Sequence, residues 1–201
     1  MVLPSAERFE AALRNAEEFF MGEAKVQRAL AALAKTLDAM GVPYAVAGAM
    51  ALNAYGYERV TTDVDVILTR EGLAKLKEEK LGLGYVEKFP GSHGLRDTEN
   101  GVDIDVLVAG EFPGDGKPKP VAFPDPSAAP RVGAHRIVSL PKLVELKLAS
   151  GMTAPHRLKD LADVLELVRA AHLPVSFADS LDPYVREKFL ELHRAAQTAG
   201  P

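Results

Sequence analysis

Two short stretches carry carboxylates in the same rhythm. In "RVTTDVDVILT" Asp63 and Asp65 stand at the mouth of the run Val66-Ile67-Leu68, and in "VDIDVLV" Asp103 and Asp105 lead into Val106-Leu107-Val108. Alternate residues of a strand project from one face. Each pair therefore sets two carboxylates about 6–7 Å apart on one side, with Val64 and Val66, or Val102 and Ile104, on the other. Such a pair repels itself, and burying it without a partner is costly. A divalent cation removes that cost, and hard oxygen ligands suit Mg²⁺ or Mn²⁺. A third aspartate on a neighbouring strand would complete a two-metal site, with ions about 3.5–4 Å apart, of the kind that catalyses in-line displacement at phosphorus. Aspartates at strand ends also cap turns or pair with surface lysines. The recurrence of the pattern, each time before an apolar strand, favours the metal. An aspartyl-phosphate phosphatase places its nucleophile after the hydrophobic strand, whereas here the apolar run follows the acids.

The rest of the chain must hold those strands side by side. Apolar residues at helical spacing predict amphipathic helices over 5–20 and 23–40. "YAVAG" (44–48) reads as a short buried strand and "AMALNAYG" (49–56) as a brief helix. Strands follow at 63–69, 84–89 and 102–108, with a helix at 70–80 and a hairpin or short extra strand between 89 and 102. Residues 111–130 hold six prolines and are expected to be irregular. A loop of that length is usually functional or mobile, although an inert surface excursion explains it equally well. The strand-like "HRIVSL" (135–140) leads into helices at about 141–150, 156–171 and 183–198. Asp182 before Pro183 is a good N-cap for the last of them. The order implies an α+β (mixed α/β) fold, a mixed sheet flanked by helices. Its expected division is N-terminal helices over 1–41, a core over 42–140 and a helical segment over 141–201.

Bulk properties narrow the classes. The chain has 201 residues, 47% apolar and 26% charged, an ordinary globular composition. It has no cysteine, hence no disulfide and no thiolate metal site, which fits a cytoplasmic protein. "MVLPSAERFEAAL" lacks a basic segment followed by a long apolar run, so no signal peptide is expected. No apolar stretch approaches the roughly 20 residues of a membrane span. A net charge of −4 argues against a broad nucleic-acid-binding face but leaves room for a local basic patch. The five histidines, 93, 135, 156, 172 and 193, show no metal-ligand spacing.

Taken together, "AVAGAMALNAYGYERVTTDVDVIL" and the later "VDIDVLV" resemble the nucleotidyltransferase superfamily that includes DNA polymerase beta. They look closest to its small prokaryotic branch of AbiEii-like toxins and minimal nucleotidyltransferases. The family pattern is an apolar strand ending in Gly-Gly or Gly-Ser, a short helix, Asp-x-Asp, and a third acid on a later strand. Gly48 matches the first glycine, and Gly56, Arg59, Thr61, Asp63 and Asp65 match the branch's G-x-x-R-x-T-x-D-x-D. Asp105 is the third acid by its apolar neighbours, with Asp103 in reserve. "LVELKLASGMTAPHRLKDLADVLELV" is similar to a later segment of the branch, placing Lys147 and Asp160 or Asp163 at its lysine and acid positions. The resemblance covers roughly 42–170. Ala49 departs from it, standing where the family has a second glycine or a serine. It has no hydroxyl for a triphosphate, only a backbone N–H at the start of the short helix.

The resemblance implies transfer of a nucleoside monophosphate from an NTP to a hydroxyl, with release of pyrophosphate. Asp63, Asp65 and Asp105 would bind two Mg²⁺ or Mn²⁺ ions, and Asp105 would also be positioned to take the hydroxyl proton. Gly48, Ala49, Arg59 and Lys147 would contact the nucleotide. Arg59 reads equally as a loop arginine on a surface carboxylate, and Thr61 as a residue that starts the strand. Lys147, near the apolar stripe of its helix, either snorkels to the surface or points into a cleft at an anion. Asp160 and Asp163 serve the site or the helix dipole. The implied acceptor is tRNA or another macromolecule, as for the toxin of a toxin–antitoxin pair with an antitoxin protein as partner. The alternatives are a small antibiotic-type hydroxyl compound, or a non-catalytic nucleotide- or partner-binding module.

Overall fold

This computed structural model describes residues 24–198. The helix expected over 5–20 lies outside them. Helix α1 occupies 24–39 and buries Val26, Ala29, Leu30, Leu33 and Leu37, an i, i+3, i+4, i+7 stripe. Strand β1 (Tyr44–Val46) follows, shorter than the sequence suggests, because Gly48 already begins helix α2 (Gly48–Ala54). Then come β2 (Asp63–Leu68), α3 (Arg70–Lys80), β3 (Tyr85–Glu87), β4 (Leu95–Asp97) and β5 (Val102–Val108). The Thr69 hydroxyl accepts from the Gly72 N–H at 3.0 Å and caps α3.

The five strands form one mixed sheet in the order β1-β2-β5-β4-β3. Its central pair, β2 and β5, is parallel, and the other pairings are antiparallel. β4 is the extra strand expected between 89 and 102. The turn after it is built on buried Asp97, whose carboxylate accepts from the N–H groups of Glu99 and Asn100, and it feeds the chain into β5.

Residues 111–130 are irregular apart from a short 3₁₀ turn at Pro126–Ala128. The strand-like 135–140 contributes only two residues to a small hairpin of β6 (Arg131–Val132) and β7 (His135–Arg136). Beyond it Ile137 bridges to Val46, extending the edge beside β1. Helices α4 (Leu140–Thr153), α5 (Leu158–Ala170) and α6 (Pro183–Thr198) complete the described chain, with a 3₁₀ turn at Val175–Ser180 that the sequence did not suggest. Asp182 caps α6 by accepting from the Tyr184 N–H at 2.8 Å. The architecture is α+β, a mixed sheet flanked by helices. One hydrophobic cluster runs from Val26 in α1 to Ala196 in α6. No helix among the described residues is long and apolar enough to cross a membrane.

Candidate active site

The sheet register places the four acids in a two-by-two patch. Asp63 lies opposite Asp103 and Asp65 opposite Asp105 on the parallel strands β2 and β5. β5 alternates strictly between buried and half-buried residues, with Val102, Ile104, Val106 and Val108 in the core and the aspartates and Leu107 on the other face. β2 follows the same rhythm as far as Val66.

Asp63, Asp65 and Asp105 line an open cleft of about 710 Å³. Asp103 does not; it receives Arg96 Nη1 at 2.6 Å and lies 3.4 Å from Lys88 Nζ. Lys88 Nζ also donates to Asp105 Oδ1 at 2.9 Å. That hydrogen bond and the charges of Asp105 and Asp103 hold its ammonium above the usual lysine range, against a smaller opposing effect of burial. Lys88 reaches Asp105 across Gly94, where a Cβ would stand 2.7 Å from the lysine Cδ. Thr61 donates its hydroxyl to Asp63 Oδ1.

Asp65 is the deepest of the three. Burial first, then the charges of Asp63 and Asp105, push its carboxyl up to about 6 against the pull of Lys147 and Arg157. Gly48, with φ +57°, is the left-handed corner between β1 and α2. A Cβ on it would overlap Asp65 Oδ2 and stand 2.5 Å from the carboxylate Cγ. The family resemblance implies that this glycine contacts the nucleotide; the structure adds a reason of its own, the packing of Asp65 over its Cα. The Ala47 N–H donates to the Asp65 carbonyl at 2.9 Å and fixes the same corner. Ala49 is buried and lines the cleft beside it.

A second cluster forms another part of the cleft. Lys147 on α4 is buried, and its Nζ donates to Asp160 Oδ1 at 3.1 Å and Asp163 Oδ2 at 2.7 Å, both on α5. Arg59, from the loop before β2, donates to Asp163 at 2.6 Å. Ser150 and Arg157 donate to Asp160 Oδ2 at 2.7 and 2.8 Å. Burial works to raise the Asp160 carboxyl, but Lys147, the Ser150 hydroxyl and Arg157 outweigh it and hold it below the usual carboxylate range. Lys147 thus points into the interior at anions, and these are the protein's own carboxylates. Arg59, Lys147, Arg157 and Asp160 line the cleft, whereas Asp163 lies behind it.

The sequence reading passed over Ser150, Arg157 and Lys88. Ser150 follows Lys147 by three residues and Arg157 precedes Asp160 by three, so helical spacing could have found both. Nothing in the sequence links Lys88 to Asp105.

Three hard-oxygen carboxylates on one cleft, two of whose charges help to raise the proton affinity of Asp65, suit a small divalent cation. Among the described residues, however, no three His, Asp or Glu side chains are gathered closely enough to cage an ion. Asp105 is instead turned to Lys88.

No protein-family model matches the chain. No curated protein sequence matches it either. Solved structures do. An antigenic nucleotidyltransferase-like protein from Paracoccidioides brasiliensis aligns at 16% identity over 73% of this chain and 76% of its own, with a TM-score of 0.47. The solution structure of antibiotic-resistance factor ANT(2'')-Ia aligns at 16% identity over 90% of this chain and 93% of its own, with a TM-score of 0.46. ANT(2'')-Ia in complex with adenylyl-2''-tobramycin aligns at 14% identity over 81% of this chain and 91% of its own, with a TM-score of 0.45.

Proposed function

We propose that this chain is a metal-dependent nucleotidyltransferase that moves a nucleoside monophosphate from an NTP to a hydroxyl acceptor and releases pyrophosphate. One observation carries the reading: the parallel register of β2 and β5 brings Asp63, Asp65 and Asp105 to one cleft, which Lys147 and Arg157 also line.

Asp63, Asp65 and Asp105 would hold Mg²⁺ or Mn²⁺, with Asp105 released from Lys88. When bound, such an ion supplies positive charge to the phosphate oxygens and lowers the pKa of the acceptor hydroxyl. The acceptor oxygen forms a bond to the α-phosphorus, and the bond from that phosphorus to the pyrophosphate oxygen breaks. The hydroxyl proton passes to a carboxylate, for which Asp105 is placed at the half-exposed rim of the cleft. Arg157, half-exposed and hydrogen-bonded to Asp160, is positioned to receive the leaving pyrophosphate. Lys147 and Arg59 hold the cleft wall in place: Lys147 pairs with Asp160 and Asp163, and Arg59 with Asp163, fixing α4 and α5 against the loop before β2.

Each α-³²P-labelled NTP would be incubated with the protein, Mg²⁺ and either total tRNA or a panel of aminoglycosides. Label on tRNA makes the acceptor a nucleic acid, and label on an aminoglycoside makes it a small molecule. NTP binding without transfer to any acceptor would reduce the protein to a binding module. Transfer that survives Asp65→Asn would refute the metal assignment.

A further inference from the structure

The lining of the cleft is divided in its chemistry. The charged part is the three carboxylates with Lys147, Arg157 and Lys159, and the apolar part includes Leu107, Phe112, Phe123 and Leu146. Leu107 follows Asp105 by two residues on the same face of β5, so it lies about 6–7 Å beyond that carboxylate along the strand. The chain then runs from the end of β5 directly into Phe112. The apolar part therefore begins one pleat beyond the acids.

Phe112 is unlike its neighbours there. Leu146 is a core residue, and Phe123 and Leu107 are half-buried but packed against the core. Phe112 is half-buried, lines the cleft, and among the described residues is not one of the side chains that pack on the core. Its backbone is nevertheless held from several sides. The loop is closed at its neck by the Gly110 N–H donating to the Phe123 carbonyl and the Phe123 N–H donating to the Glu111 carbonyl, each at 2.9 Å. Lys119 Nζ donates to the Pro113 carbonyl at 2.6 Å, and Pro113 is buried. Gly114 lies so close to α4 that a Cβ there would stand 2.9 Å from the Ser150 carbonyl oxygen. Glu111 is paired with Arg70 at 2.8 Å.

An aromatic ring on a braced loop, lining the same cleft as a phosphate-type site, suits a ligand that is charged at one end and planar at the other. We propose that Phe112 is the platform on which the nucleobase of the NTP stacks. This rests on the nucleotidyltransferase reading above. Stacking tolerates any base because every base has a π face, so Phe112 supplies affinity for the heterocycle and little choice among bases.

The test is calorimetric titration of the full chain with the α,β-methylene analogues of ATP, GTP, CTP and UTP and, separately, with inorganic tripolyphosphate, all in Mg²⁺. Phe112→Ala and Phe112→Leu should weaken every nucleotide analogue by at least about 10-fold and leave tripolyphosphate unchanged, while Phe112→Trp keeps nucleotide affinity. Unaltered nucleotide binding in Phe112→Ala overturns the proposal. So does full affinity in Phe112→Leu, which would mean apolar contact without stacking, and so does parallel loss of tripolyphosphate, which would mean a collapsed loop. If the wild-type chain binds no nucleotide analogue, the nucleotide reading itself falls and takes this one with it; the variants then need not be compared.

Discussion

Asp65 occupies a position where its charge is disfavoured, between Asp63 and Asp105 and against the backbone of Gly48. The consequence for stability has a definite sign. The carboxyl titrates near 3.8 in an unfolded chain and at about 6 in the fold. Below 3.8 both states are protonated and nothing is lost. As pH rises from 3.8 towards 6 the unfolded chain gives up its proton and the fold does not, so stability falls across that window and then levels. A shift of that size corresponds to at most about 3 kcal/mol. Asp65→Asn in metal-free protein should therefore be more stable than wild type in urea melts at pH 7.5, by up to that amount, and no more stable at pH 4, while transfer activity drops by roughly 100-fold or more. Equal stability of the two proteins at both pH values would mean that the carboxylate is not under this strain. Lys88 gives the complementary prediction. It neutralises Asp105 through a half-exposed pair, so its loss costs the fold little. Lys88→Met should tighten Mn²⁺ binding, read by electron paramagnetic resonance of the free ion, by roughly 3- to 10-fold; weaker binding would show that Lys88 orients Asp105 for the ion. The acids were legible in the sequence because strand alternation is a strict local rule. Lys88 was not, because its approach to Asp105 depends on a hairpin turn and on the missing side chain of Gly94.

At the scale of elements, the pairing of α4 with α5 is ionic at its centre. Lys147 is the shared cation of Asp160 and Asp163. Replacing it with methionine leaves two buried acids with too little countercharge, which costs about 3–5 kcal/mol where a buried pair is broken. Lys147→Met should lower the urea midpoint by the corresponding amount at pH 7. The deficit should shrink towards pH 3.5, where Asp160, held below its ordinary value by Lys147 and its neighbours, begins to lose the stabilisation that its charged form provides. A deficit independent of pH would assign the loss to packing. The placement of Lys147 on an apolar stripe marked it as unusual in the sequence, but its partners needed the fold. Whether an anion belongs to a ligand or to the next helix is a long-range fact that periodicity does not carry. The same limit applies to residues 111–130: prolines announced an irregular segment, while its bracing against α4 at Gly114 follows from tertiary contact alone. Of the β6–β7 hairpin the sequence showed only the strand-like stretch that holds β7, because a two-residue strand such as β6 has no period to detect.

For the molecule as a whole, the core from α1 to α6 is continuous, so ligand binding at the cleft should register as global stability. Mn²⁺ should raise the melting temperature at pH 7.5, raise it less at pH 5, where a carboxyl titrating near 6 is mostly protonated, and have no such effect on Asp65→Asn. An equal rise in wild type and variant would place the ion elsewhere. The order of elements, and hence the α+β class, could be read from the sequence because most of the described helices and the two central strands β2 and β5 are long enough to show their own periodicity. The adjacency of β2 and β5 was expected from their paired acids, but the rest of the sheet order, with β1 on one edge and β4 and β3 beyond β5, depends on tertiary pairing that the sequence does not show.

The insertion of β5 beside β2 has a consequence for the chain during its synthesis. The central strands pair in parallel, with Asp63 matched to a residue forty positions later, Asp103. A ribosome that has made only the first carboxylates has not yet assembled the cleft, because their partner strand does not yet exist. Parallel closure over such a distance is among the slower events of folding. Lys147 and its acids emerge later still. On the proposed function, reactive chemistry would thereby be withheld from truncated or half-folded products and would arise only in chains whose last described helices have docked.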